Sequence, residues 1–156
     1  MSTNRAMRLI ERFCADRRGV AAVEFILVMP FVIYLAVGAI DYGMLTYRTM
    51  QVHDAAQAGM QYAAVAQTTN TQAIASVVTN ATTYSSVAAS PAPATFYGCA
   101  SSGTIQIASQ GSICSDGSAA GEYLNVYASA TYNTILTYPA IPATFALSGQ
   151  ATVRLN

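Results

Sequence analysis

Few residues in this 156-residue chain have the chemistry for catalysis or ligation. The single histidine, His53, stands next to Asp54. A Ser-His-Asp relay would need a serine brought to that pair, and no G-x-S-x-G elbow supplies one. His53 therefore reads as a surface residue. One histidine with Cys99 and Cys114 falls short of the four ligands of a structural zinc site. Asp116 and Glu122 flank glycines 117 and 121, where a weak calcium site competes with a plain solvated loop, and the loop is the better reading. There is no G-x-x-x-x-G-K-[ST] phosphate cradle and no dinucleotide glycine fingerprint. The chain reads as non-enzymatic, with no catalytic residue, no cofactor and no metal. One chemical group is out of place, and it is Glu24.

Glu24 is the sole charged residue in the run VAAVEFILVMPFVIYLAVGAI, residues 20–40. As a helix those residues are about 31 Å long, enough to cross a hydrocarbon core. A carboxylate inside a bilayer costs about 2.5–3.5 kcal/mol on insertion scales, so its presence asks for a function. Pro30, in the same run, lacks a backbone donor and predicts a kink or a loosened turn.

The zero net charge hides an asymmetry. Residues 1–19 hold Arg5, Arg8, Arg12, Arg17 and Arg18 against Glu11 and Asp16, a balance of +3. Residues 20–156 hold Arg48 and Arg154 against Glu24, Asp41, Asp54, Asp116 and Glu122, a balance of −3. Arginines beside one end of a span mark the cytoplasmic side, so the N-terminus is expected inside and residues after Asp41 outside. These arginines are a topology signal, and nucleic-acid binding is not expected. Outside the cytoplasm Cys99 and Cys114 form an even pair, which reads as a disulfide, and Cys14 is left on the other side. Such a bridge stabilises a small domain by about 3 kcal/mol in the chain-entropy model.

The junction Arg17-Arg18-Gly19, Val20-Ala21-Ala22, Val23-Glu24-Phe25, Ile26 to Met29 and Pro30 resembles a prepilin processing motif. More narrowly, it resembles the TadE-like pseudopilins of the Tad branch of type IV pilus systems, over residues 17 to about 62, with a weaker likeness in the small-residue run into Val153-Arg154 near the C-terminus. The resemblance implies cleavage by a prepilin peptidase between Gly19 and Val20, with Glu24 then fifth in the mature chain. It also implies a minor pilin role in assembling a Tad pilus for surface adhesion and biofilm formation. The implied partners are the prepilin peptidase, sister pseudopilins, the major pilin, the inner-membrane assembly platform and membrane lipid. Localisation would be a single pass in a bacterial inner membrane, with the exported domain periplasmic or extracellular. Physically, cleavage would create an α-amino group on Val20 one helical turn from Glu24. A carboxylate at that depth can pair with the amino terminus of a neighbouring chain, which offsets both desolvation costs and penalises wrong registers. The competing reading of Glu24 is an acid snorkelling at the interface.

Helical spacing continues past the span. Leu45, Val52, Ala55, Ala56, Gly59, Met60 and Ala63 share one face, and Thr46, Met50, His53, Asp54, Gln57 and Gln61 lie roughly opposite. That makes residues 41–66 an amphipathic extension whose small-residue stripe packs on the chain's own C-terminal domain. After a break at residues 67–71, Asn70 or Thr71 is expected to cap a helix over 72–82 with Ile74, Val77, Val78 and Ala81 inward. Residues 85–94 read as a Pro/Ala/Ser connector. Strands are expected at 95–99, 104–108, 122–132 and 146–155. In the third, Leu124, Val126, Ala128 and Ala130 alternate with Tyr123, Asn125, Tyr127, Ser129 and Thr131; in the last, Ala151, Val153 and Leu155 share a face. Pro139 and Pro142 mark a turn-rich excursion between them.

The expected organisation is a leader (1–19), a transmembrane helix (20–40), an amphipathic extension (41–66) and a small exported α+β domain (67–156). The fold class is α+β, a long helix on a small antiparallel sheet, pilin-like. Two alternatives stay open from the sequence. One is a secreted binding protein cut after the small residues Ala36-Val37-Gly38, and the other a signal-anchored envelope domain without catalytic activity.

Overall fold

The computed structural model describes residues 19–135 and 141–155. The leader residues 1–18, with Cys14, Arg17 and Arg18, lie outside the described residues, as does Pro139. The architecture is α+β, in the order α1 (Val20–Ala66), α2 (Thr71–Asn80), β1 (Ala94–Ser101), β2 (Thr104–Ile107), β3 (Gly121–Asn133) and β4 (Thr144–Arg154). The chain divides into two units at Ile40 and Asp41.

The first unit, as far as it is described, is Gly19 and the first part of α1. Its large side chains are exposed, Val20, Phe25, Leu27, Phe31 and Leu35 among them. An apolar surface of this extent, interrupted by the charge of Glu24, fits a lipid environment, since water would penalise it. The helix runs through Pro30 without interruption.

In the second unit the stripe of small residues on α1 is buried. Val52, Ala55, Ala56, Gly59 and Ala63 are closed off, with Leu45 and Met60 packed against them, while Thr46, Met50, His53, Asp54, Gln57 and Gln61 are exposed. Glycine is required at the crowded point. A Cβ on Gly59 would lie 2.5 Å from Val78 Cγ2 and 3.0 Å from Val126 Cγ1, because α1, α2 and β3 meet there. The helix ends at Gln67, which takes the left-handed conformation (φ 48°), and the Thr68 N–H reaches the Ala63 carbonyl at 3.2 Å.

Asn70 caps α2, its side-chain oxygen accepting from the N–H groups of Gln72 (3.1 Å) and Ala73 (3.2 Å). The helix buries Ile74 and Val78 and half-buries Val77. Ala81 differs from expectation. It is exposed because α2 stops at Asn80 and Ala81 is its C-cap, one residue too late to face inward.

The sheet has the order β2-β1-β3-β4 with every neighbour antiparallel. β3 is its centre, pairing with β1 over residues 121–125 and with β4 along its length. Beyond β1 the connector takes over: Ala88 and Ser129 exchange backbone hydrogen bonds of 2.9 and 2.8 Å, and Val87 is buried. The core gathers Leu124, Val126, Ala128, Ala130 and Tyr132 of β3 and Leu147 of β4 with the α1 stripe and Ile74 and Val78 of α2. Ala151, Val153 and Leu155 are half-buried beside it. Tyr123, on the opposite face of β3, is also buried, at 6 % exposure. Its ring stacks on Phe96 with centroids 5.6 Å apart.

Candidate functional site

The residues to which the sequence assigns processing and assembly lie at the start of α1. Gly19 forms a short 3-10 turn immediately before the helix, and Val20 is its first residue. Both are exposed, and nothing lies within 4 Å of where a Cβ on Gly19 would stand. The position that the resemblance marks for cleavage thus has open space around it. Glu24 follows one turn later, exposed on a helix whose first turn holds no acid. An acid near a helix N-terminus interacts favourably with the exposed N–H groups there.

In the second unit the structure joins Cys99 of β1 to Cys114, with Cα atoms 5.6 Å apart and a sequence separation of 15. The intervening chain contains β2, and a tight turn follows Cys114. The Cys114 N–H donates to the Ser118 carbonyl (2.7 Å) and the Gly117 N–H to the Cys114 carbonyl (2.9 Å). Asp116 serves this turn. Its Oδ1 accepts from the Ser118 N–H (2.9 Å) and hydroxyl (2.7 Å), and those bonds hold its carboxyl below the usual carboxylate range. Among the described residues no group of three or more His, Cys, Asp and Glu gathers to hold a metal ion. His53 and Asp54 are exposed on α1.

The structure adds a site that the sequence reading did not contain. Asp41, the first residue after the apolar run, is buried at 8 % exposure. Its Oδ1 accepts from the Tyr132 hydroxyl (2.5 Å) and from the Ile135 N–H (3.3 Å). The helix is thereby tied to the end of β3 through partners 91 and 94 residues away. Burial, with the Asp41 carboxylate second, pushes the Tyr132 phenol up to about 12. Two turns further on, the Arg48 guanidinium lies 4.3 Å from the ring centroid of Tyr84, whose hydroxyl donates to the Thr131 carbonyl. Arg48 also donates to Gln51 Oε1 at 2.7 Å. A signal for Asp41 existed: it lies four residues before Leu45 and eleven before Val52, on the inward stripe. An acid on a buried stripe requires a partner.

No curated protein and no solved structure matches the chain. A family model does match, over residues 19–61, and its description is TadE-like protein. The matched segment runs from the exposed glycine through Glu24, Pro30 and Asp41 into the buried stripe, and the C-terminal strand lies outside it. A TadE-like match implies a part in Tad pilus systems, with other pilus components as partners. Over residues 19–61 the chain is thus similar to the TadE-like family, and among the described residues that segment includes one apolar helix long enough for a single-pass anchor.

Proposed function

We propose that this chain is a non-catalytic minor pilin of a Tad-type pilus, made with a leader that a prepilin peptidase removes between Gly19 and Val20. Residues 20–40 anchor it in a bacterial inner membrane with the N-terminus cytoplasmic, and residues 41–156 form the exported part. Through assembly with sister pseudopilins, the major pilin and the inner-membrane platform it contributes to surface adhesion and biofilm formation.

The observation that carries this reading is the start of α1. An exposed glycine stands directly before the exposed apolar start of α1, with a carboxylate one turn in, and that segment matches the TadE-like family. A plain anchor has no cause to keep Glu24, whose insertion costs about 2.5–3.5 kcal/mol. Paired with the new amino terminus of a neighbouring Val20, the same charge contributes to assembly and sets its register.

N-terminal sequencing of the protein from cells with a prepilin peptidase tests the processing step. Val20 is the expected first residue, and Gly19→Val should leave the precursor intact. An N-terminus at Ala39 would make the chain a secreted protein, and Met1 an uncleaved anchor. Glu24→Ala should insert and be cleaved, yet crosslink poorly to sister pseudopilins and lower pilus number. Undiminished crosslinking and piliation at equal abundance would reduce Glu24 to an interfacial acid.

A further inference from the structure

The face of the sheet turned away from the helices carries a cleft of about 440 Å³, between β2 and the middle of β3 and β4. Pairing register puts its residues together. Asn125 of β3 stands opposite Thr152, and the next outward pair is Tyr127 with Gln150. On the other side of Asn125 stands Ala94, followed two residues on by Phe96. Ile105 and Ile107 of β2 complete the wall beyond Phe96. The cleft thus has one wall of aromatic and aliphatic carbon and one of amides and hydroxyls. No Asp, Glu, Lys, Arg or His lines it.

The polar wall is ordered by its own hydrogen bonds. Thr152 Oγ1 donates to Asn125 Oδ1, and Asn125 Nδ2 donates to the Tyr127 hydroxyl at 3.3 Å. Those bonds leave the second Nδ2 hydrogen of Asn125 and the lone pairs of Thr152 Oγ1 for a ligand. Among the described residues the Gln150 carboxamide makes no hydrogen bond, and it offers both a donor pair and an acceptor. Across the cleft the Phe96 ring is fixed by its stack on the buried Tyr123. Ile107 is 83 % exposed, apolar surface that water leaves uncompensated.

The geometry points to a binding site for a neutral saccharide in this cleft. Sugar hydroxyls donate and accept at once, as do the carboxamides and hydroxyls of the polar wall. The C–H face of a sugar ring is apolar and weakly positive, matching the negative face of a phenylalanine ring. The uncharged lining gives nothing for a phosphate, a sulfated glycan or an acidic peptide to pair with. An extended apolar peptide is the other candidate. It would add along the main chain of β2, whereas the available hydrogen-bonding groups are side chains on the face of β3 and β4. The volume lies within the range of about 300–1,000 Å³ of small-molecule sites, and its openness to solvent predicts weak, rapidly exchanging binding. This inference does not rest on the pilus reading, since it concerns the second unit alone.

The test is a titration of the full chain, held in a phosphocholine detergent because sugar-headed detergents would compete. Side-chain amide resonances of Asn125 and Gln150 are followed as maltose, cellobiose, lactose and diacetylchitobiose are added. A heparin disaccharide and an Ile-rich peptide serve as comparisons. At least one neutral disaccharide should shift both amides saturably. Gln150→Ala should weaken that binding roughly tenfold, about the effect of losing one well-placed hydrogen-bonding side chain. Thr152→Val should weaken it too, and Gln57→Ala, on the exposed face of α1, should not. Gln150 and Gln57 are exposed, so their variants keep the fold, which the unchanged backbone spectrum verifies. Silence from all four disaccharides, shifts that spare Asn125 and Gln150, or stronger shifts from the peptide or the heparin disaccharide would overturn the proposal. None of these readouts depends on leader cleavage or piliation.

Discussion

Removing the Tyr132 hydroxyl tests whether the Asp41 contact holds the turn of α1 that follows the apolar run to the sheet. Tyr132→Phe keeps the ring in the core and deletes one oxygen, so no large cavity forms. Asp41 Oδ1 is then left with the Ile135 N–H at 3.3 Å as its remaining partner among the described residues. A hydrogen bond to a charged group contributes about 1.5–3 kcal/mol, and Asp41, at 8 % exposure, has little water to replace it. The expected loss is therefore about 2 kcal/mol. Asp41→Asn, which keeps an acceptor oxygen but no charge, should cost less, about 1 kcal/mol. The double variant should lose less than the sum, because each single change removes the same contact. Urea unfolding of the second unit within the full chain in detergent, followed by tyrosine near-ultraviolet dichroism, reads this as a lower midpoint at unchanged slope. The alkaline limb gives a second readout. The phenol of Tyr132 ionises at about 12 in the fold against an ordinary 10.0. A raised pKa contributes stability that is complete below pH 10 and is lost as pH climbs through about 12, so wild type should weaken there and Tyr132→Phe should lack that component. A Tyr132→Phe midpoint indistinguishable from wild type would refute the reasoning.

Gly59→Ala should destabilise the second unit by about 1–3 kcal/mol, since the added methyl meets Val78 Cγ2 at 2.5 Å; thermal unfolding measures it. Gly149→Ala should be at least as costly, because its methyl would meet the Val52 carbonyl oxygen at 2.9 Å, backbone that cannot rotate away. The paired change Cys99→Ser with Cys114→Ser should lower stability by about 3 kcal/mol for a loop of this length, and reduction of wild type should match it. Peptide mapping without reduction should recover the Cys99–Cys114 pair in protein isolated from cells.

Local pattern was enough for much of this molecule. Twenty-one residues with one charge mark the exposed part of α1, and small residues at helical spacing mark the buried stripe, because both depend only on which side of one helix a residue occupies. Alternation in β3 identified Leu124, Val126, Ala128 and Ala130 as core for the same reason, with a period of two. Asn70 announced the start of α2 through a bond to residues two and three positions away.

What depends on contacts distant in sequence needed the tertiary structure. Asp41 reads in sequence as the residue that ends an apolar run, and only the fold puts the end of β3 against it. Alternation assigns Tyr123 to the solvent face. It is buried there because β1, paired in that register, brings the Phe96 ring onto it. The order β2-β1-β3-β4 follows from the same cause. Periodicity states which face each strand buries but is silent on which strand stands beside it. The uncharged cleft on the outer sheet face is a product of that order, since its walls come from four strands whose adjacency no local pattern encodes.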